Sequence, residues 1–464
     1  MRLAWFSPMP PVRTGVAACS AELVAALSGA YRIDVYVDEP VAAASAHRSA
    51  HEFVWRHRLH PYDLVVYQLG NSSHHDYIWP YLFRYPGLTV LHDAHLHHAR
   101  AAALLRTGRA GDYRAELTWN HPEADGNVAE LAINGFDNHS YYFWPMTRMV
   151  VRASRVTAVH TSEMAERLRE DSPAARVESI HLGHGEPVSA ENESLIRAPA
   201  RAEFGIPPDA IVFGCYGGLT PDKRVPQLLA AFAATRNAVP SAHLLLAGAT
   251  VSHYDLAADV ARHGLQDCTT ITGYLSDDAD LTAAIAAADV VLNLRWPTAR
   301  EVSGPWLRAL AAGKPTVVVD LAHLTDVPTL DPRTWQPNVV VSTDSGASDA
   351  GACAVAIDIL DEDHSLRLAM RRLANDPSLR ATLGRNARAY WQANHSIERM
   401  VADYQRVIAL AAKSDARHVS LPPHVLNDGT QTVERIMAAF GLPAIFRHDL
   451  RTPNPEPRAP SPEL

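Results

Sequence analysis

One stretch in the second half of the chain decides the fold class. It reads Val290-Val-Leu-Asn-Leu-Arg-Trp-Pro-Thr-Ala-Arg-Glu-Val-Ser-Gly-Pro-Trp-Leu-Arg-Ala-Leu-Ala-Ala-Gly-Lys-Pro-Thr-Val-Val-Val319. Its two ends are short apolar runs, which are typical of strands buried on both faces. Between them, Ser303 suits a helix N-cap, Pro305 suits the first helical turn, and Gly313 followed by Lys-Pro ends the helix. The order strand, helix, strand predicts a parallel α/β sheet.

The same alternation continues outward in both directions, so we predict an α/β fold throughout. The predicted strands are Arg2–Phe6, Arg32–Val37, Leu64–Gln68, Thr89–Leu91, Val156–Val159, Ile211–Gly214, His243–Ala247, Thr270–Thr272, Val290–Leu294, Thr316–Val319 and Asn338–Val341, and the predicted helices are Ser20–Leu27, Ile133–Arg152, one from Thr161, Val225–Ala234, Ser252–Arg262, Asp278–Ala287, Pro305–Ala312, Leu366–Asn375, Leu379–Gln392, Ile397–Ala412 and Thr432–Ala439.

A proline-rich segment, Arg197–Pro208, interrupts this alternation and predicts the domain boundary. We therefore expect one α/β domain over residues 1–200 and a second over 201–412, with 413–464 as an extension. The end of that extension, Arg451–Leu464, has five prolines and is expected to be disordered. Two such domains leave a cleft, and ligands bind beyond the carboxyl ends of parallel strands, so the loops after strands are the places to search.

Composition narrows the function classes. The net charge of −9 over 464 residues disfavours a nucleic-acid-binding protein, which needs a basic face. The four cysteines are scattered without a C-x-x-C pair, and no signal peptide or long apolar run is evident, so a cytoplasmic protein without a membrane span is expected. Peripheral contact with a membrane stays open, and the oligomeric state is not readable.

The helix that begins after Glu301 is the first candidate site. Free N–H groups at a helix start suit a diphosphate, and Gly304 would let the phosphate approach the backbone. Glu301 would accept hydrogen bonds from sugar or ribose hydroxyls. The segment alone is equally consistent with a structural helix and a surface glutamate.

The second candidate is the stretch Gly214-Cys-Tyr-Gly-Gly-Leu-Thr-Pro-Asp-Lys-Arg224. A strand enters glycines, among them Gly217 and Gly218, and two adjacent cations follow. Lys223 and Arg224 would neutralise the charge on a leaving phosphate. The glycines match neither a P-loop nor G-x-G-x-x-G, and an ordinary turn with solvated cations is the alternative.

Two loops of the first half are weaker candidates. Gly15, after Pro-Pro-Val-Arg-Thr, would permit close approach of a ligand. His92-Asp93-Ala-His95-Leu-His97-His98 closes a strand, and an imidazole there would orient hydroxyls or assist proton transfer. A metal site is the minor alternative, because no H-E-x-x-H motif or remote carboxylate-rich motif accompanies it. We expect neither a metal nor another cofactor.

These segments together resemble the retaining glycosyltransferases of family 4, which have the GT-B architecture. The resemblance covers residues 1 to about 412 and is closer in the second half. It rests on the Gly15 turn, Thr-Pro-Asp-Lys223, Gly273-Tyr-Leu-Ser, the run from Ala287 to Gly304, and Ala-Ala-Gly313-Lys-Pro. It implies two Rossmann-like domains facing across a cleft, with a C-terminal helix that returns to the first domain.

The resemblance also implies residue roles. Lys223 would contact the diphosphate of a nucleoside-diphosphate sugar, and His92 would lie near the transferred sugar or the acceptor. Tyr274 and Leu275 would flank the base. The predicted catalytic set is His92, Lys223 and Glu301, and the predicted substrate-binding set is Gly15, Asp93, Gly217, Gly218, Arg224, Gly273, Tyr274, Leu275, Ser303 and Gly304.

Two departures from the family pattern concern the donor site. Gly218 stands where the family usually has an arginine before Leu-Thr-Pro, and Arg224 is a candidate replacement for that charge. Arg308 stands where a second glutamate would align, on a helix one residue shorter than the family's. The contact to the ribose of the donor is therefore in question.

The predicted function is retaining transfer of a sugar from a nucleoside-diphosphate sugar to an acceptor hydroxyl of a glycan, a lipid-linked molecule or a small molecule. No pair of carboxylates at readable spacing favours a glycosidase. A phosphorylase or epimerase on the same architecture is one alternative. A non-catalytic sugar-nucleotide-binding subunit of a transferase is the other, supported by Gly218 and Arg308.

Overall fold

The structure is a computed structural model of the chain, and it describes most of its length. The described residues are 1–40, 47–135, 141–185, 190–298, 301–321, 324, 326–338, 351–427 and 430–441. The predicted disordered end, Arg451–Leu464, lies outside them, as does all but the first residue of the predicted strand Asn338–Val341.

The first half of the chain forms a seven-stranded sheet in which every neighbouring pair is parallel. Its central strands are mostly apolar and, apart from Arg2, buried, as expected of a sheet covered by helices on both faces. The order across the sheet is β3-β2-β1-β4-β5-β6-β7, with β1 at Arg2–Phe6, β2 at Arg32–Val37, β3 at His47–Ser49, β4 at Leu64–Leu69, β5 at Leu88–Leu91, β6 at Val156–Val159 and β7 at Val177–Ser179.

Eight helices of the described residues accompany this sheet. The predicted continuous helix Ile133–Arg152 is wrong: one helix ends at Ile133, another begins at Arg148, and Pro145 precedes the second. Proline lacks an N–H and cannot continue a helix, which accounts for the late start. The helices are α1 at Gly15–Leu27, α2 at Phe53–Leu59, α3 at Trp79–Arg84, α4 at His97–Leu105, α5 at Ala110–Asn120, α6 at Gly126–Ile133, α7 at Arg148–Ala153 and α8 at Ser162–Asp171.

The second half repeats the design with another parallel seven-stranded sheet. The sequence missed the edge strand β13 and its neighbour β14, as it missed the edge strands β3 and β7; all four are two to four residues long. The order is β10-β9-β8-β11-β12-β14-β13, with β8 at Ile211–Tyr216, β9 at Ala242–Ala247, β10 at Thr269–Gly273, β11 at Val290–Asn293, β12 at Thr316–Val319, β13 at Thr329–Leu330 and β14 at Ala354–Ile357.

The helix before this second sheet runs through the predicted interruption at Arg197. Helix α9, Ala190–Glu203, continues past Pro199 because its arginines are anchored to the second half. Arg197 and Arg201 bind the carboxylate of Asp289 at 2.5 and 2.8 Å. The remaining helices are α10 at Val225–Ala238, α11 at Leu256–Arg262, α12 at Asp278–Ala287, α13 at Gly304–Ala311, α14 at Glu362–Asn375, α15 at Pro377–Asn394, α16 at Ile397–Ala412 and α17 at Thr430–Ala439.

The last long helix, α16, returns to the first sheet, as the resemblance implies. Tyr404 on this helix stacks on Trp5 of β1 at 5.9 Å between ring centroids, and its hydroxyl donates to the Gln68 side chain at 3.1 Å. One apolar core joins β1, α13 and α16. Among the described residues, no helix is long and apolar enough to cross a membrane.

Candidate active site

The loops after the strands of the two sheets meet across a cleft. The Arg13 guanidinium, in the loop between β1 and α1, lies 4.6 Å from the ring centroid of Tyr274, in the loop after β10. Such a cation–π contact is attractive and holds the two loops near each other. Arg308 of α13 also approaches Glu22 of α1 at 3.8 Å. The described loops of both halves therefore face a common space.

The start of α13 is built as the sequence predicted. The Ser303 hydroxyl caps the helix by accepting the N–H of Trp306 at 3.4 Å, and it donates to Asn293 Oδ1 at 2.9 Å. Gly313, with φ of 65°, ends the helix. A Cβ added to Gly304 would meet no atom within 4 Å, so the first turn is open on that side. Pro305 has no N–H and the Trp306 N–H is capped by Ser303, so the Gly304 N–H is the backbone donor of this turn that suits an anion.

Lys223 lies beside this helix start. Its ammonium donates to the Tyr216 carbonyl at 2.7 Å and is buried. A Cβ on Gly217, whose φ is 89°, would lie 2.6 Å from Nζ and 3.4 Å from Pro305 of α13, so glycine is needed there. Burial, and next the charge of Arg295, lower the pKa of Lys223 to about 8. The amine therefore favours an added negative charge near it.

The structure does not bring Arg224 to the same place. Its backbone is left-handed, with φ of 58°, which turns the side chain away from Lys223. The guanidinium forms a two-point ion pair with Glu362 at the start of α14. Gly218 faces open space, with no atom within 4 Å of an added Cβ. The charge that the family places at position 218 is thus not supplied by Arg224 in this arrangement.

Arg295 is the second cation of the site, and the sequence analysis missed it. It lies in the loop after β11, beyond Leu294, and forms an ion pair with Glu301. The Glu301 carboxylate also accepts the Thr298 hydroxyl at 3.1 Å on Oε2. Its Oε1 is buried and accepts no hydrogen bond from the described residues. A basic residue in the loop after a parallel strand is the signal that could have found Arg295, since the position of Lys223 in the loop after β8 singled out that lysine.

Asp93 faces Glu301 and Arg295 from the first half. Its Oδ2 accepts the backbone N–H of Asn71 at 2.6 Å. Burial first, and then the negative charge of Glu301, raise the pKa of Asp93 to about 6, which Arg295 and the Asn71 N–H partly oppose. This carboxyl group therefore titrates near neutral pH, a property common at functional sites.

Both ring nitrogens of His92 contact neighbouring side chains, so neither is open to the cleft. Nε2 pairs with Gln68 Oε1 at 2.7 Å, and Nδ1 approaches His160 Nε2 at 3.3 Å. Burial, followed by the nearby His160 and His75, lowers its pKa well below the usual value. His92 is neutral at physiological pH and therefore suits orientation of a polar group better than donation of charge.

The other histidines of this segment pack with aromatic rings. His97 pairs with the Tyr113 hydroxyl at 2.7 Å. His98 lies edge-on to Tyr142 at 4.8 Å, and His95 lies 6.2 Å from the same ring. Among the residues that the structure describes, no three His, Cys, Asp or Glu side chains are grouped as a metal site would require.

The remaining predicted residues border the cleft. Gly15 begins α1, capped by Thr14, and an added Cβ there would meet no atom within 4 Å. Gly273, with φ of 70°, turns the chain after β10, and Tyr274 is 45% exposed. Leu275 packs against the second-half core. This edge is open, and Tyr274 offers a flat face to a ring.

Arg308, at the position of the family's second glutamate, is engaged by both halves. Its Nη2 donates to Asp278 Oδ1 at 3.0 Å, and its Nε contacts His184 Nε2. His184 Nδ1 in turn pairs with Glu22 at 3.1 Å. Burial alone would raise the pKa of Glu22, but His184, the Gly185 N–H and Arg308 lower it. Arg308 thus connects α13 and α12 to α1.

The comparison with protein families covers the second half of this site. Residues 210–361 match the family model described as Glycosyl transferases group 1. This match includes Lys223, Arg295, Glu301 and the start of α13. No curated protein sequence in the comparison matches the chain.

Solved structures show the architecture of the whole chain. The sucrose-phosphate synthase of Thermosynechococcus elongatus is 17% identical, with 88% of this chain and 98% of that chain covered and a TM-score of 0.57. Anabaena HepE in complex with UDP and glucose is 16% identical, with 88% of this chain and 99% of that chain covered and a TM-score of 0.58. The catalytic domain of starch synthase IV of Arabidopsis thaliana, bound to ADP and acarbose, is 11% identical, with 89% of this chain and 99% of that chain covered and a TM-score of 0.57. The fold is therefore the GT-B fold.

Proposed function

We propose that this chain transfers a sugar from a nucleoside-diphosphate sugar to an acceptor hydroxyl, with retention at the anomeric carbon. The observation that carries the proposal is the convergence of three anion-binding elements. Gly217 lies next to both the buried Lys223 ammonium and Pro305 of the open first turn of α13, and the positive charge of Arg295 lowers the pKa of Lys223. The family match over residues 210–361 supports the reaction class.

The donor diphosphate fits the space between Lys223 and the start of α13. The Gly304 N–H and the positive end of the helix dipole would receive a phosphate oxygen, and the ammonium would stabilise the charge that grows on the leaving phosphate. Tyr274 offers its ring to the base. The complexes of HepE with UDP and of starch synthase IV with ADP support a nucleoside diphosphate without deciding the base for this chain.

The acceptor would enter from the first half, beside Asp93 and His92. In the proposed front-face reaction, the bond between the anomeric carbon and the diphosphate oxygen breaks while the acceptor oxygen bonds to the same face of that carbon. The acceptor proton passes to the leaving phosphate. Asp93 would orient hydroxyls, and the neutral His92 would hold Gln68 and His160 in place beside it. Catalysis would thus rest on positioning and charge stabilisation, without a metal or other cofactor.

A screen of UDP-, GDP-, ADP- and TDP-sugars by thermal shift tests the donor site, since binding stabilises the folded state. The donor that raises Tm would then be incubated with and without acceptors, and the anomeric configuration of the product read by NMR. We expect a product with the configuration of the donor. An inverted product would contradict retention, and no stabilisation by any donor would contradict the donor site.

A non-catalytic sugar-nucleotide-binding subunit is the second candidate. Two observations favour it: no cation stands at Gly218, and Arg308 is occupied by Asp278 and His184. This candidate predicts donor binding without hydrolysis or transfer for any acceptor. The product assay above separates the two functions.

A further inference from the structure

The loop after β4 contains an asparagine whose side chain is held at both ends. Asn71 Oδ1 accepts the backbone N–H of Ala99 at 2.9 Å, and Nδ2 lies 3.3 Å from His98 Nδ1. Ala99 belongs to the first turn of α4, where N–H groups have no partner within the helix. Leu96, at the cap position, makes no side-chain hydrogen bond to this turn. Asn71 therefore caps α4 from a neighbouring loop.

The backbone of the same asparagine holds Asp93. The Asn71 N–H donates to Asp93 Oδ2 at 2.6 Å. A Cβ on Gly70 would lie 3.1 Å from this oxygen and 2.9 Å from His75 Nε2, so glycine lets the carboxylate lie close to the loop. Among the described residues, the other oxygen, Oδ1, accepts no hydrogen bond, and Asp93 is only partly buried. One carboxylate oxygen is thus fixed by the protein, and the other is left for a ligand.

We propose that Asn71 is the positioning residue of the acceptor site. Its side chain anchors the loop to α4, its N–H fixes Asp93 through Oδ2, and Asp93 Oδ1 accepts one hydroxyl of the acceptor. This inference rests on the proposed function, in which the acceptor enters beside Asp93. A hydroxyl bound to a carboxylate that cannot rotate is held in one direction, and such orientation contributes to the rate of transfer. Asn71 acts on the acceptor through Asp93.

The same N–H group affects the ionisation of Asp93. Burial and then the charge of Glu301 raise the pKa of Asp93 to about 6, and the Asn71 N–H opposes them, as does Arg295. A hydrogen bond to a carboxylate favours its charged form, so loss of the Asn71 N–H is expected to raise this pKa further. Three further titratable groups near Asp93 are neutral at pH 6, because burial shifts their pKa values away from it: His75, His92 and Tyr142.

The test compares N71A with the matched control N120A. Asn120 of α5 caps another helix in the same way, since its Oδ1 accepts the N–H of Met149, in the first turn of α7, at 2.9 Å. N71A is expected to lower kcat/KM for the acceptor roughly tenfold, because Asp93 is no longer oriented, and to leave the Kd of the nucleotide-sugar unchanged. The pH at which kcat/KM for the acceptor falls, about 6 in the wild type, should rise. N120A should change none of these values.

Two further measurements separate positioning from a general loss of stability. N71S keeps an oxygen that can accept the Ala99 N–H and should recover part of the activity. The second measurement needs no turnover: it is the gain in free energy of unfolding that D93N causes at pH 7.5, measured in urea. Ionised Asp93 is less favourable without the Asn71 N–H, so this gain should be larger in the N71A background than in the wild type.

Wild-type acceptor kinetics with an unmoved pH profile in folded N71A would overturn the proposal, as would an equal loss in N120A. An equal or smaller gain from D93N in the N71A background would overturn it too. If N71A does not fold, N71S serves for the same comparisons. If the wild type transfers sugar to no acceptor, the proposed function fails, and the unfolding measurement still decides whether Asn71 holds Asp93.

Discussion

The two edges of the cleft differ in how their polar groups are satisfied. At the first-half edge, His92 contacts Gln68 and His160, and Asp93 accepts the Asn71 N–H. Burial keeps His92 neutral and raises the pKa of Asp93. At the second-half edge, Lys223 keeps an ammonium in a buried place. The first edge is lined by hydrogen-bonded side chains, whereas the second places a positive charge among glycines.

This difference indicates a division of labour between the halves. A fixed charge beside an open helix start suits a ligand part with a strong negative charge, which is the same for every nucleoside-diphosphate sugar. Hydrogen-bonding side chains such as Asp93 suit hydroxyls, whose arrangement differs between acceptors. The family model matches the charged half, residues 210–361, in agreement with a common donor requirement. The following predictions test the comparison, beginning with the largest effect.

Removing the charge at the second edge should have the largest effect. K223A, or the more nearly isosteric K223M, is expected to lower kcat/KM of transfer roughly 100-fold or more, because an ammonium at the leaving phosphate is lost. Activity assays together with thermal unfolding would measure this. The control is K413A, since Lys413 is exposed at the end of α16. Full activity in folded K223A would show that the phosphate site does not lie at the second edge.

A smaller effect is expected at the first edge. D93N keeps an acceptor for the Asn71 N–H but removes the carboxylate, so we expect roughly tenfold lower kcat/KM for the acceptor. In the wild type this parameter should fall as pH drops through about 6, where Asp93 gains its proton. D93N should lack that limb of the pH profile. An unchanged profile in D93N would assign the titration to another group.

The same substitution has an expected effect on stability. Because folding raises the pKa of Asp93, its contribution to stability is lost as pH rises through about 6. D93N should therefore raise the free energy of unfolding at pH 7.5, by roughly 1–3 kcal/mol, and by less at pH 5. Urea unfolding at both pH values measures this. D267N, at an exposed aspartate, serves as the control.

The smallest effect is expected where the two edges are joined. R308A removes the contacts to Asp278, His184 and Glu22, yet partly exposed ion pairs contribute little, so we expect a loss of about 1 kcal/mol. The donor KM should rise a few-fold as α13 is held less firmly against α1. R372A, which breaks an exposed pair within α14, is the control for stability. An unchanged donor KM would show that the contacts of Arg308 between α13 and α1 do not position the donor site.

Much of the fold was predictable from local sequence. The apolar runs on either side of α13 gave two central strands of the second sheet, and Ser303, Pro305 and Gly313 gave the bounds of the helix within one residue. These features are local, since caps and short buried strands depend on a few neighbouring residues. The edge strand β13 and its neighbour β14 were not predicted, because they are short and their pairing is with residues distant in sequence.

The charges of the site show what the sequence alone determined and what only the tertiary structure decided. The sequence alone determined that a lysine follows β8 and that a capped helix follows β11. It did not determine which arginine joins them. Arg224 adjoins Lys223 in sequence, but its left-handed backbone and Glu362, 138 positions away, take it elsewhere. Arg295, 72 positions beyond Lys223, lowers the lysine's pKa because parallel strands β8 and β11 are neighbours. The order of strands in the sheet, which local propensity does not encode, therefore decides which arginine lies near Lys223.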